Sequence, residues 1–134
     1  MEKQNYFTVD EANQKIPWLE TQLREIASLS KDIDSYRLDL DNILRMRSGN
    51  GHGDTDQDVV DSRRETDAAI EKSREIVQEI NDSGIILRDA ARGLADFPAL
   101  WGRREVYLCW VLGESRIQFW HEIYTGFSGR QPLV

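Results

Sequence analysis

The chain has 134 residues, with 24 acidic and 17 basic side chains, a net charge of -7 and one cysteine. A chain of this length forms one domain with a core of its own, and Cys109 has no partner in it, which excludes an intramolecular disulfide framework and makes a reducing compartment the simplest setting. The acidic balance repels nucleic-acid phosphates and anionic membranes at long range, so neither is expected as a partner.

The local basic group Arg88, Arg92, Arg103 and Arg104 reads as pairing with neighbouring carboxylates. No stretch approaches the ~20 consecutive apolar residues of a membrane-spanning helix. The start, Met1-Glu2-Lys3-Gln4-Asn5, lacks the basic-then-apolar order of an export signal. A cytoplasmic location is therefore the expectation.

Thr8-Val9-Asp10-Glu11 places a hydroxyl and a carboxylate three positions apart, the reciprocal arrangement that satisfies free N–H groups at a helix start. The first helix is expected over 8–48. Ala12, Leu19, Ile26, Ile33 and Leu40 recur every seven residues, and Val9, Ile16, Leu23 and Leu44 supply a second row, the pattern of a coiled-coil seam. Pro17 lacks the N–H that would bond to Asn13, which predicts a kink or short break there. Glycine and polar residues make 49–55 a loop, with His52 a solvent side chain of that loop. The second helix is expected over 56–82, with a narrow apolar face of Val59, Val60, Ile70, Val77 and Ile80, and Gly84 as its left-handed stop.

Beyond Gly84 the pattern changes. Ile85-Ile86-Leu87, Glu105 to Leu112 and Ile117 to Ile123 read as strands, the last two joined as a β-hairpin around Gly113-Glu114-Ser115-Arg116. The charged stretch 88–98, with Asp89, Arg92 and Asp96, reads as an ion-paired loop locking the sheet to the helices. Glycine and proline make 125–134 a tail. The fold class is thus α+β: a long antiparallel helical hairpin followed by a small antiparallel sheet over 85–124, in a single domain 1–134. About 40 helical residues at ~1.5 Å each make a rod of about 60 Å. One partner helix cannot cover that length, which predicts a homodimer built on four helices.

With a hairpin loop of two or four residues, Val106, Leu108 and Trp110 share an apolar face with Ile117, Phe119 and His121. The other face then carries Glu105, Tyr107 and Cys109 beside Gln118, Trp120, Glu122 and Tyr124. A loop of three or five residues reverses this pairing. Glu105, Tyr107, Trp120, Glu122 and the Arg130 tail make the candidate binding surface, its partner a protein or a small molecule. The alternative is a metal-dependent or hydrolytic enzyme in which His121, Glu114 and Asp96 hold a divalent ion. His121 and Glu122 are neighbours in a strand and point to opposite faces, so a functional His121 needs partners from elsewhere. The bland reading of His121 is a hydrogen-bonded core histidine, and that of Cys109 a small hydrophobe whose one plausible base, His121, lies across the sheet. Asp54, Asp56, Asp58 and Glu65 have a calcium loop's spacing, but Val59 stands where that loop needs glycine. No cofactor is predicted, a divalent metal belonging to the enzyme reading alone.

Gly93-Leu94-Ala95-Asp96-Phe97-Pro98-Ala99, Arg104-Glu105-Val106-Tyr107-Leu108-Cys109-Trp110, Leu112-Gly113-Glu114, Phe119-Trp120-His121-Glu122 and Gly129-Arg130-Gln131-Pro132-Leu133, with the opening Phe7-Thr8-Val9-Asp10-Glu11-Ala12-Asn13, resemble a small bacterial family catalogued as a domain of unknown function, family 2203. The resemblance implies a bacterial origin and no established reaction, and it supplies no catalytic residues. An interaction or ligand-binding module is the leading reading of the residues.

Overall fold

A computed structural model describes residues 6–50 and 55–133, with the side chains of 47–50, 55 and 56 excepted. Two helices packed against each other, α1 (Val9–Asn50) and α2 (Thr55–Asp82), precede a five-stranded antiparallel sheet of β1 (Ile86–Asp89), β2 (Leu94–Trp101), β3 (Arg104–Val111), β4 (Phe119–Glu122) and β5 (Gln131–Pro132), in that spatial order. The α+β expectation holds, and the sheet is larger than the hairpin expected. Among the described residues no helix is long and apolar enough to cross a membrane.

The chain divides into two compact units, one of Met1–Arg24 with Val77–Val134 and the other of Glu25–Ile76. In the Glu25–Ile76 unit, Ile26 and Leu29 are buried, while Ile33, Tyr36, Leu40 and Ile43 are half-buried. Leu44 is exposed, and Ile43 takes the seam position assigned to it. On α2 the buried row of this unit is Val59, Ser62, Thr66, Ala69 and Ile76, whereas Val60 faces solvent. Small residues that an apolar pattern overlooks thus fill the seam. Their hydroxyls stay satisfied, because Ser62 Oγ donates to the Tyr36 carbonyl at 3.1 Å and Thr66 Oγ1 to the Ser62 carbonyl at 2.8 Å.

The other unit holds the sheet. The predicted capping box closes α1, Thr8 N–H donating to Glu11 Oε1 at 2.9 Å and Glu11 N–H to Thr8 Oγ1 at 3.1 Å. Pro17 does not break α1, which runs on to Asn50. The proline deletes one ladder bond, and the buried side chains on both sides of it, Ala12, Ile16, Leu19 and Leu23, hold the helix together. The loop expected over 49–55 is shortened at both ends by α1 and α2. Its centre, 51–54, His52 included, lies outside the described residues, as do the side chains of the calcium-like acids Asp54 and Asp56. Gly84 ends α2 with φ 95 and donates to the Asn81 carbonyl at 3.0 Å, as expected.

Strand β2 replaces the second part of the loop expected over 88–98, from Leu94 on, and β1 takes its first two residues. Asp96 and Pro98 give it a poor strand signal, yet all of Leu94–Ala99 is buried. Proline is tolerated because β1 pairs only as far as Asp96, so no N–H is required at residue 98. The Pro98 carbonyl instead accepts the Phe7 N–H at 2.7 Å. Gly102, φ 66, turns β2 into β3 with Trp101 opposite Arg104.

Register fixes the two sheet faces. Ala95, Phe97 and Ala99 lie opposite Trp110, Leu108 and Val106, all six buried. This is the face turned to the start of α1: the Phe7 ring meets Phe97 edge-on at 5.3 Å, and Asn13 Oδ1 accepts the Ile117 N–H at 2.7 Å. Burying each of the larger apolar side chains contributes about 1.5–3 kcal/mol. The tail expected over 125–134 is part of the same unit, since β5 pairs with β4 and Leu133 N–H donates to the Gln118 carbonyl at 3.0 Å.

Candidate functional site: a buried Asp–His–Arg cluster beneath a cleft

Cys109 opposes Phe119 with nine residues between them, and Tyr107 opposes His121. An odd number of intervening residues reverses the face assignment made for an even loop. Val106 and Leu108 therefore share the core face with Glu122 and Trp120, while Tyr107 and Cys109 share the opposite face with His121 and Phe119. The candidate binding surface is split accordingly. Glu105, half-buried, and Tyr107 lie on one side of the sheet, Trp120 and Glu122 on the other. Trp120 packs on Trp101 with ring centroids 4.7 Å apart, and Glu122 is ion-paired with Arg104.

The same register gathers Asp96 and His121, the expected metal candidates, with Cys109, which was expected across the sheet from His121. Asp96 on β2 is directly opposite Cys109 on β3, and His121 comes from the adjacent β4. Their ligand atoms all lie within 4.8 Å of one another, and all three residues are buried. Glu114, assigned to the metal set from sequence, is not in this group. Its carboxylate accepts Arg130 Nη2 at 2.7 Å on both oxygens and the Val111 N–H at 2.8 Å.

Asp96 is 2% and His121 1% exposed. The Asp96 carboxyl is used on both sides: Oδ1 lies 2.9 Å from His121 Nε2, and Oδ2 accepts Arg88 Nε–H at 2.9 Å. His121 Nδ1 lies 2.7 Å from the Glu122 carbonyl. A carbonyl only accepts, so Nδ1 carries a proton, and one further proton is shared between Nε2 and Asp96. Whichever of the two holds it, the histidine and carboxyl together are neutral. With Arg88 the cluster carries one net positive charge, in a chain whose total is -7.

Both imidazole nitrogens are thus engaged, which leaves neither open as a general base in this arrangement. Burial first, then the neighbouring Asp96, pushes the Cys109 thiol up to about 12. A thiol so protonated is a poor nucleophile, although the register now puts it on the same face as His121.

Arg88 is held from below by Asp96 and lies over the Tyr107 ring, 5.2 Å from its centroid. Its side chain remains 42% exposed. It opens with Asp96 and His121 into a cleft of about 410 Å³, whose apolar walls are Leu94, Ile123, Tyr124 and Phe127. Arg92 lies over the Phe127 ring at 5.0 Å. The ion pair foreseen within 88–98 is thus real, but it joins two strands rather than sheet to helix. Asp89 serves a turn, its Oδ1 accepting the Arg92 N–H at 3.1 Å.

The chain's last turns cover the rest of this face. Arg130 stacks over Phe119 at 4.0 Å and Phe127 at 4.9 Å from the ring centroids while it holds Glu114. Gly129 allows that path, because a Cβ there would come within 2.3 Å of Thr125 Cβ. Arg130, chosen from sequence as a binding residue, is therefore a clamp beside the cleft, and Arg88 is the cleft's cation that sequence reasoning missed. The signal for Arg88 is its spacing from Asp96 across a turn, which a loop over 88–98 hides.

The model of a family described as "Uncharacterized conserved protein (DUF2203)" matches residues 5–133. No curated protein and no solved structure gave a significant match.

Proposed function

Since the chain belongs to the DUF2203 family, whose description names no activity, we propose from the geometry that it is a binding module for a small organic anion, a carboxylate or phosphate attached to an apolar body. One observation carries this reading: the buried Asp96–His121 pair fixes Arg88, whose side chain stays 42% exposed, at the floor of the cleft. A guanidinium with its stem packed and its donors already oriented loses little entropy on binding an oxyanion. Leu94, Ile123, Tyr124 and Phe127 supply the apolar contact that gives such pockets their affinity. Phenyl phosphate and benzoate are suitable probes. Calorimetry is expected to show saturable binding of one or both to the wild-type chain and a loss of at least about tenfold in Arg88→Met, which keeps the stem and removes the charge. Equal affinity in the variant would remove Arg88 from the site, and no binding of either probe would defeat the reading.

A second copy of the chain is the partner we propose for the Glu25–Ile76 unit. Leu38, Met46 and Val60, all in that unit, are 60%, 67% and 47% exposed, outside the seam that α1 and α2 share. Apolar residues repeated along exposed helices are the usual surface of helical self-association. Analytical ultracentrifugation at tens of micromolar is expected to show a dimer that Leu38→Glu with Met46→Glu converts to a monomer. A wild-type monomer at that concentration would contradict this.

A further inference from the structure

We infer that Asp96, Cys109 and His121 form a site for one divalent transition metal ion of the zinc or cobalt class, resting on the anion-binding reading and naming what completes its cleft floor. The three donors come from three adjacent strands, so the sheet ladder sets their spacing. A tetrahedral ion with bonds of about 2.0–2.3 Å places its ligand atoms about 3.3–3.8 Å apart, and the observed atoms lie within 4.8 Å of one another, with Nε2 and Oδ1 at 2.9 Å. Insertion of the ion parts that one pair by a few tenths of an ångström and draws the thiolate inward.

The surroundings are those a ligand set requires. His121 Nδ1–H donates to the Glu122 carbonyl, which turns the Nε2 lone pair toward Asp96 and Cys109. Metal-bound imidazoles are oriented by such outer hydrogen bonds, and ligating carboxylates keep a second partner of their own. Arg88 is that partner, on the Asp96 oxygen that the ion does not use. A nitrogen, a carboxylate oxygen and a thiolate form a borderline-soft donor set that suits zinc and cobalt rather than calcium or magnesium.

Loading displaces the Cys109 thiol proton and the proton between His121 and Asp96 as the ion enters. Three protein ligands leave a fourth position, and the cleft lies on the side of Asp96 and His121 where an anion held by Arg88 would reach it.

Cobalt(II) titration of the full-length chain, stripped with a chelator and then freed of it, tests the site. Because Cys109 is the chain's one cysteine, a near-ultraviolet thiolate-to-cobalt absorption band that saturates at about one ion per chain can come from no other thiol. That band is the expected result, and it is expected to vanish in Cys109→Ser with the fold retained by circular dichroism. Absence of the band in the wild type, or its persistence in Cys109→Ser, overturns the site; if the serine variant fails to fold, the wild-type titration alone decides. Phenyl phosphate binding measured with chelator present separates the two claims. Binding of the phosphate without cobalt binding ends the metal inference alone, and cobalt binding without any anion binding ends the anion reading alone.

Discussion

Replacing Asp96 with alanine is expected to destabilise the fold by about 3–5 kcal/mol, the range for removing one member of a buried ionic network. The carboxyl is 2% exposed and serves two strands at once, holding His121 of β4 through Oδ1 and Arg88 of β1 through Oδ2. Without it, a buried imidazole N–H loses its acceptor and carries the full desolvation penalty of the orphaned group, while Arg88, 42% exposed, loses its counter-charge but stays in contact with water. Asp96→Asn keeps the volume and one acceptor, so its cost is expected to be clearly smaller. Urea denaturation of the two variants checks the order. A loss below about 1 kcal/mol in Asp96→Ala would show that the network is not a determinant of stability.

Arg130→Ala is the second large effect, expected at about 2–3 kcal/mol. Two aromatic faces and a carboxylate meet the same guanidinium: Phe119 and Phe127 at 4.0 and 4.9 Å, and both oxygens of Glu114 at 2.7 Å. A desolvated cation–π contact is worth about 2 kcal/mol, and Glu114, 21% exposed, would keep the Val111 N–H but lose its counter-charge. Arg130→Lys restores the charge but not the flat stacking surface, and is expected to recover less than half of the loss. Recovery in full would mean that charge alone holds the clamp. The clamp lies on the side of the sheet that carries the cleft, so the same variant is expected to weaken binding of phenyl phosphate.

The helical half was legible where the sequence speaks through period and caps. The Thr8–Glu11 box and the Gly84 stop were both read correctly, because each is a local device whose residues name the conformation. The α2 seam was legible only in part. Ser62, Thr66 and Ala69 bury small or hydroxyl side chains that no hydrophobic count picks out. The sheet half was legible for β3 and β4 and opaque for β2, where Asp96 and Pro98 contradict strand propensity. Their tolerance depends on partners distant in sequence, Phe7 for the Pro98 carbonyl and His121 for the carboxyl, with Arg88 across a turn as the carboxyl's second partner.

The candidate site was obscured by one parity. Its residues Asp96 and His121 were named from sequence as metal candidates, but an even hairpin loop would have put His121 in the helix-facing core and Cys109 across the sheet. The odd spacing between Cys109 and Phe119 brings Cys109, His121 and Tyr107 to one face and splits Tyr107 from Trp120 and Glu122. Glu114 was assigned to the wrong group for a similar reason. Its nearest cation, Arg130, reaches it from the C-terminal segment through β5, a pairing with no local signature.

The most direct test of the central claim, an anion held by Arg88 over the neutral Asp96–His121 pair, is a two-dimensional amide NMR titration of the wild-type chain with phenyl phosphate in the presence of a chelator. Saturable shifts confined to the cleft, at Leu94 and from Ile123 to Phe127, and their absence in Arg88→Met, are the predicted result. Shifts that fail to saturate, that map elsewhere, or that survive in Arg88→Met would contradict it.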